Sequence, residues 1–238
     1  MMRYKDDIMT TQDVARYIKM NERTVLKLAQ EGKIPAMKVA SQWRFKKSLI
    51  DEWLDMEMKN FSREQLEEIG AQGPIVDVAH LVNPRLVIPE LTATDKEGVL
   101  EELVGQLDEL DYPVYLDRIL SAVQLREKTF TTGMPGGVAL PHPRNVKEMR
   151  LTQSHLVVGR STPGVDFGAM DGKPTYLFFL LCANNEKSHL KLLAQLSMQL
   201  RIAENVARLR AAAGHAGLLA ALEEVFGAGL GSARAANQ

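Results

Sequence analysis

Cysteine is nearly absent from this chain: Cys182 is the single one in 238 residues. A lone thiol makes neither an intramolecular disulfide nor a cysteine zinc site, and at the end of an apolar run it reads as buried and inert. Long apolar runs are missing too. The best candidate, Tyr176 to Ala183, is eight residues long, whereas a membrane-spanning helix needs about 20. The N-terminus, Met1 to Asp7, lacks the apolar stretch of a secretory signal. Histidines are few, and His80, His155 and His215 are scattered without ligand spacing. These absences argue against a disulfide scaffold, a helical membrane protein and a metalloenzyme. They lead us to expect a cytoplasmic protein with no metal and no cofactor.

Apolar content of 45% and charge of 25% are ordinary for a globular protein. The length permits two domains. The net charge of −1 is unevenly spread. Residues 10–50 hold nine Lys/Arg against three Asp/Glu, so the acidic excess lies in the remainder. A basic part of this kind is a weak sign of nucleic-acid contact.

The pattern divides the chain into a basic domain at 8–56, a polar, partly helical linker at 57–80, a larger domain at 81–227, and a Gly/Ala-rich tail at 228–238. In the basic domain, Thr10 or Thr11 can cap a first helix running to Ile18. After a turn at Lys19–Asn21, Asn21 can cap a second helix over Glu22–Glu31 that stops at Gly32. Val14, Ala15 and Ile18 are placed to pack on Val25, Leu28 and Ala29. That is helix-turn-helix geometry, with Arg23, Thr24 and Lys27 facing outward. Met37–Val39 and Trp43–Phe45 flank a turn and read as a two-stranded wing exposing Lys38 and Arg44. A third helix is expected over Lys46–Leu54.

Thr10-Thr11-Gln12-Asp13-Val14-Ala15, Arg23-Thr24-Val25, Gly32-Lys33-Ile34-Pro35-Ala36 and Trp43-Arg44-Phe45 together resemble the MerR/excisionase-type winged helix-turn-helix. The resemblance implies DNA binding, with Arg23, Thr24 and Lys27 near bases and Lys38 and Arg44 on phosphates. Against this stands the plainer reading of a solvated charged face. So small a module would bind specifically as a homodimer.

The larger domain alternates helix and strand signals, which suggests an α/β layered fold. Thr94 and Glu97 read as the capping box of a helix carrying Val99, Leu100, Leu103, Val104 and Leu107. A second helix runs from Asp117 to about Arg126. Strands are expected at Gly137–Leu140, His155–Gly159 and Thr175–Cys182. Ser188 reads as the cap of a helix carrying Leu190, Leu193, Leu196 and Leu200, and a last helix covers His215–Phe226.

The richest stretch is Thr131 to Arg144. Three glycines there permit close backbone approach and positive φ. Pro141 and Pro143 stiffen the backbone around His142. A preorganised imidazole suits a nucleophile meeting a phosphoryl group. Arg126, just upstream, can fork to two phosphate oxygens. His189 stands at a helix start, where backbone N–H groups favour an anion. Each residue taken singly is more often an ordinary surface or helix-start residue; the combination raises the case for a site.

Leu125-Arg126-Glu127-Lys128, Thr132-Gly133, Gly137-Val138-Ala139-Leu140-Pro141-His142 and Ser188-His189-Leu190 resemble the fructose/mannitol-type IIA domain of the bacterial phosphotransferase system, a group that includes the nitrogen-regulatory IIA proteins. The resemblance implies a mixed sheet flanked by helices. It also implies that His142 accepts a phosphoryl group from an HPr-type carrier, with Arg126 and His189 as phosphate-stabilising neighbours. Further partners implied are a IIB domain, or a regulated kinase or transporter. The chain departs from the family where Pro143-Arg144 follows the histidine in place of Gly. The expected function is a regulator joining DNA binding to a phosphohistidine site. The alternatives are a IIA carrier for fructose/mannitol-type sugar uptake and a protein-binding regulator that transfers nothing.

Overall fold

The structure, a computed structural model, describes residues 8–60, 78–129, 131–169 and 171–227. The Met1–Asp7 terminus, most of the expected linker (61–77) and the tail (228–238) lie outside the described residues. The chain divides into two compact units, Met1–Phe61 and Ser62–Gln238.

In the first unit, α1 (Thr11–Tyr17) starts at Thr10, and the cap is a full capping box. Thr10 Oγ1 accepts from the Asp13 N–H at 3.2 Å, and Asp13 Oδ2 accepts from the Thr10 N–H at 3.0 Å. α2 (Glu22–Gln30) is capped by Asn21, whose side chain accepts from the Thr24 N–H at 2.8 Å. The wing strands are β2 (Met37–Val39) and β3 (Gln42–Lys46), joined at Ala40 and Ser41, both at positive φ. A two-residue hairpin of this hand matches the strand twist. A third strand, β1 (Ile8–Met9), pairs antiparallel with the other edge of β3, so the sheet order is β1-β3-β2. α3 (Lys47–Asn60) runs past the expected end at Leu54, through residues of good helix propensity. Among the described residues, Val14, Ala15, Val25, Ala29, Ile34, Phe45, Ile50 and Leu54 are the buried apolar ones of this unit. Ile18 and Leu28 are only half-buried.

The second unit is built on a five-stranded mixed sheet. Its strands are β4 (Val82–Ile88), β5 (Gly133–Met134), β6 (Val138–Ala139), β7 (His155–Val165) and β8 (Thr175–Cys182), in the order β4-β7-β8-β6-β5. β8 is the central strand, parallel to β6 and antiparallel to β7. Burial on both faces explains its unbroken apolar sequence. Phe178, Leu180 and Cys182 join the core beneath α4 (Lys96–Gly105) and α5 (Leu116–Thr129). Phe179 turns to the opposite face and meets Phe226 of α8 (Gly214–Gly227), ring centroids 6.1 Å apart. α6 (Glu186–Leu200) and α7 (Ala203–Ala211) lie between β8 and α8 in sequence. The fold is the mixed sheet flanked by helices that the motifs imply, with a small, mainly helical winged helix-turn-helix unit beside it in sequence.

Two caps differ from the reading above. Asp95, not Thr94, caps α4, accepting from the Gly98 N–H at 2.8 Å. Asn185, not Ser188, caps α6, accepting from the Ser188 N–H at 2.9 Å. Asp outranks Thr as a cap at the first site, and at the second the helix starts three residues earlier than the Ser188 reading, at Asn185. α5 runs three residues past Arg126, to Thr129. β7 extends six residues past Gly159, to Val165.

Candidate functional site

β6 and β8 run side by side in the same direction, so the chain leaves both at one edge of the sheet. Ligands of open α/β sheets gather at such an edge, outside the carboxyl ends of the strands. The hairpin β5–β6 turns at Gly136 and Gly137, at φ +94° and +80°. Gly137 also approaches β8 so closely that a Cβ would stand 2.7 Å from the Tyr176 ring. Gly133 has no positive φ; it is required by close packing on the Ala169 backbone, 3.0 Å from where a Cβ would sit. Beyond β6 the chain still rides on β8, with the Leu181 N–H donating to the Pro141 carbonyl at 2.9 Å. His142 follows.

The His142 ring is 4% exposed, and its Nδ1 lies 2.8 Å from the Leu140 carbonyl oxygen. A carbonyl can only accept, so Nδ1 is the donor and carries the ring proton. The neutral imidazole therefore keeps its lone pair on Nε2. Beyond β8, the Asn185 cap starts α6 and brings His189 into the first turn. The two rings meet with centroids 5.0 Å apart and planes at 61°. His189 contributes its ring rather than an open backbone donor, because its N–H is committed to the Asn185 carbonyl at 3.0 Å.

Arg126 is 2% exposed, in the last turn of α5. Its neighbour Glu127 is buried and anchors that turn to the hairpin. The Glu127 carboxylate accepts from the Thr132 N–H at 3.0 Å and from Thr132 Oγ1 at 2.7 Å. Lys96 Nζ, from the first turn of α4, stands 3.4 Å from Glu127 Oε1. This anchor was not apparent from sequence; its one signal is a carboxylate directly after Arg126 with a Thr five residues on. Pro143 is buried and Arg144 half-buried.

In the first unit, Asn21, Glu22, Arg23, Thr24 and Lys27 line one shallow concavity at the start of α2. Thr24 Oγ1 turns back to the Asn21 side chain at 2.8 Å, and Lys27 stands 3.9 Å from Glu31. Arg23 is exposed. Lys38 and Arg44 do not share a face. Their cross-strand partners are Trp43 and Met37, and side chains alternate along a strand. Lys38 Nζ lies 5.9 Å from the Trp43 ring centroid. The Arg44 guanidinium donates to the Trp43 carbonyl at 3.0 Å and to Gln42 Oε1 at 2.5 Å.

Residues 80–225 match the family described as phosphoenolpyruvate-dependent sugar phosphotransferase system, EIIA 2, and residues 8–58 match a helix-turn-helix domain family. A nitrogen regulatory protein of Bradyrhizobium diazoefficiens is 36% identical over 141 residues, covering 58% of this chain and 87% of that protein. The fructose-specific EIIABC component of Bacillus subtilis is 30% identical over 126 residues, covering 50% of this chain and 19% of that protein. The crystal structure of nitrogen regulatory protein IIA-Ntr from Neisseria meningitidis shares the fold, with a TM-score of 0.54 at 24% identity over 61% of this chain and 98% of that one. With its family matched over more than half of its length, the chain belongs to the phosphotransferase-system EIIA 2 family and carries a helix-turn-helix domain ahead of that domain.

Proposed function

We propose that the chain is a DNA-binding regulator whose EIIA 2 domain takes a phosphoryl group on His142 Nε2 from an HPr-type phosphohistidine carrier. The observation that carries this reading is the His142 ring itself. Its Nδ1 proton is tied to the Leu140 carbonyl, which makes Nε2 the ring nitrogen that carries the lone pair, and a second imidazole stands against it. In the transfer, the Nε2 lone pair forms a bond to phosphorus while the donor's P–N bond breaks, and the donor nitrogen keeps the electron pair. One P–N bond replaces another, so positioning and charge stabilisation suffice and no metal is needed. Arg126 and His189 neutralise the phosphoryl oxygens.

The first unit binds DNA through α2, with Arg23, Thr24 and Lys27 toward the major groove and the wing on phosphates. It binds specific sites as a homodimer. Phosphorylation adds a charge of about −1.5 to −2 at His142, and that charge alters the affinity for DNA. Coverage of most of a nitrogen regulatory relative supports the regulatory branch over sugar uptake. Pro143 favours a second reading, a binding module without transfer, because it removes a backbone N–H beside the acceptor ring.

Incubation with a radiolabelled phosphocarrier decides between them. Acid-labile label on the wild type and none on His142→Ala supports transfer; an unlabelled wild type favours the binding module. DNA titrations of the phosphorylated and unphosphorylated protein then test the coupling. Equal affinity and equal salt slope would sink it.

A further inference from the structure

A continuous set of hydrogen bonds runs from α4 to the acceptor ring. Lys96 Nζ donates to Glu127. The Thr132 N–H and Oγ1–H donate to the same carboxylate. The Thr132 carbonyl accepts from the Leu140 N–H at 3.3 Å. The Leu140 carbonyl accepts from His142 Nδ1 at 2.8 Å.

We propose that Glu127 is a positioning residue for His142: with Lys96 and Thr132 it holds the β5–β6 hairpin against α5, so that the Leu140 carbonyl stands where it fixes the ring as the Nδ1–H tautomer. The inference rests on His142 as the phosphoryl acceptor. A buried carboxylate is a costly way to pin a hairpin if pinning is all that is required, since an apolar side chain of similar volume avoids the desolvation. What the carboxylate adds is direction. Thr132 places both of its donors on it, which fixes the residue whose carbonyl meets Leu140. Glu127 also follows Arg126 in the same helical turn, so one anchor sets the backbone of the buried arginine and of the acceptor loop together. The links pass through separate peptide units, so the effect is geometric rather than a relay of charge. Misplacement of a reacting group by about 1 Å lowers rates about 10²-fold.

The test is Glu127→Gln in the full chain, with Lys96→Met and Lys96→Arg beside it. Three quantities are measured: the His142 tautomer by ¹⁵N NMR, kcat and KM for phosphoryl transfer from an HPr-type carrier, and the melting temperature. Glu127→Gln is expected to lower kcat about 10²-fold, to leave KM within twofold, and to turn a fixed Nδ1–H ring into a mixture of tautomers. Lys96→Met should show the same changes in smaller degree, and Lys96→Arg should restore them. A folded Glu127→Gln with wild-type kcat and an unchanged tautomer overturns the proposal. If Glu127→Gln does not fold, Lys96→Met decides by the same readouts. A wild type that takes no label defeats the acceptor reading alone, because the tautomer measurement needs no phosphoryl donor.

Discussion

His189 meets His142 edge-on, with ring centroids 5.0 Å apart, although one follows β6 and the other lies in the first turn of α6. Both are at least nine-tenths buried. An imidazole N–H at that distance reaches an oxygen carried on the neighbouring ring. Removing one such preorganised donor costs about 10² to 10³ in kcat. His189→Ala is therefore expected to slow phosphoryl transfer by that factor, while His189→Gln, which restores an N–H, recovers part of it. Rapid-quench sampling of labelled protein reads both. A His189→Ala protein that transfers at the wild-type rate would remove His189 from the site.

Gly137 lies in the hairpin turn before His142. Its φ is +80°, and a Cβ would stand 2.7 Å from the Tyr176 ring and 3.2 Å from the Pro174 carbonyl. Gly137→Ala is expected to destabilise the second unit by more than about 1 kcal/mol. Gly172→Ala has strain but open space, with φ +65° and nothing within 4 Å, and is expected to cost less. Urea midpoints of the two variants give the comparison.

Burial pushes the His155 imidazole below its ordinary range. Tyr112 Oη lies within hydrogen-bond distance of its Nε2, at 2.5 Å. With the folded pKa below the unfolded value of about 6.5, the unfolded chain takes up the proton first as the pH falls. The contribution of neutral His155 is whole above that value and is lost as the pH drops toward the folded pKa. Replacement by Gln keeps a hydrogen-bonding amide for Tyr112 and removes the titration. The melting temperature of His155→Gln should fall less steeply with pH below about 6.5 than that of the wild type. Parallel curves would contradict the assignment.

Two cations of the wing, Lys38 and Arg44, have different commitments. Lys38 is exposed over Trp43, whereas the Arg44 guanidinium is spent on its own strand and turn. On the DNA-binding reading, Lys38→Ala should reduce the slope of log K against log salt by about 0.9, the value for one phosphate contact. Arg44→Ala should change the slope less and the melting temperature more. Fluorescence titration over a salt series measures the first, and the melting curve the second.

Much of the fold was legible because the signals were local. The apolar run Thr175–Cys182 reads as a buried strand and is β8 over those same residues. Asn21 and Gly32 bracket α2, with Gly32 at φ +67° just beyond it. Less legible was β4, Val82–Ile88, where Asn83, Pro84 and Arg85 interrupt the apolar pattern and only Leu86–Ile88 are buried. α7 was missed because it buries only Val206 and Leu209. At the site, His142 and His189 stood out by residue type and flanking prolines or helix start. The Lys96–Glu127–Thr132 anchor did not, because its members come together only once α4, α5 and the hairpin have packed.

Cys182 sits at the end of the central strand, fully buried, its thiol pushed up to about 12. At neutral pH it is almost wholly protonated and out of reach, so maleimides and disulfide reagents pass it by. The wild-type chain is thus a silent background for site-specific labelling. A cysteine placed at exposed Lys38 would be its one reactive thiol, and on the proposed reading a fluorophore there would report DNA engagement alongside phosphorylation of His142 in the same sample.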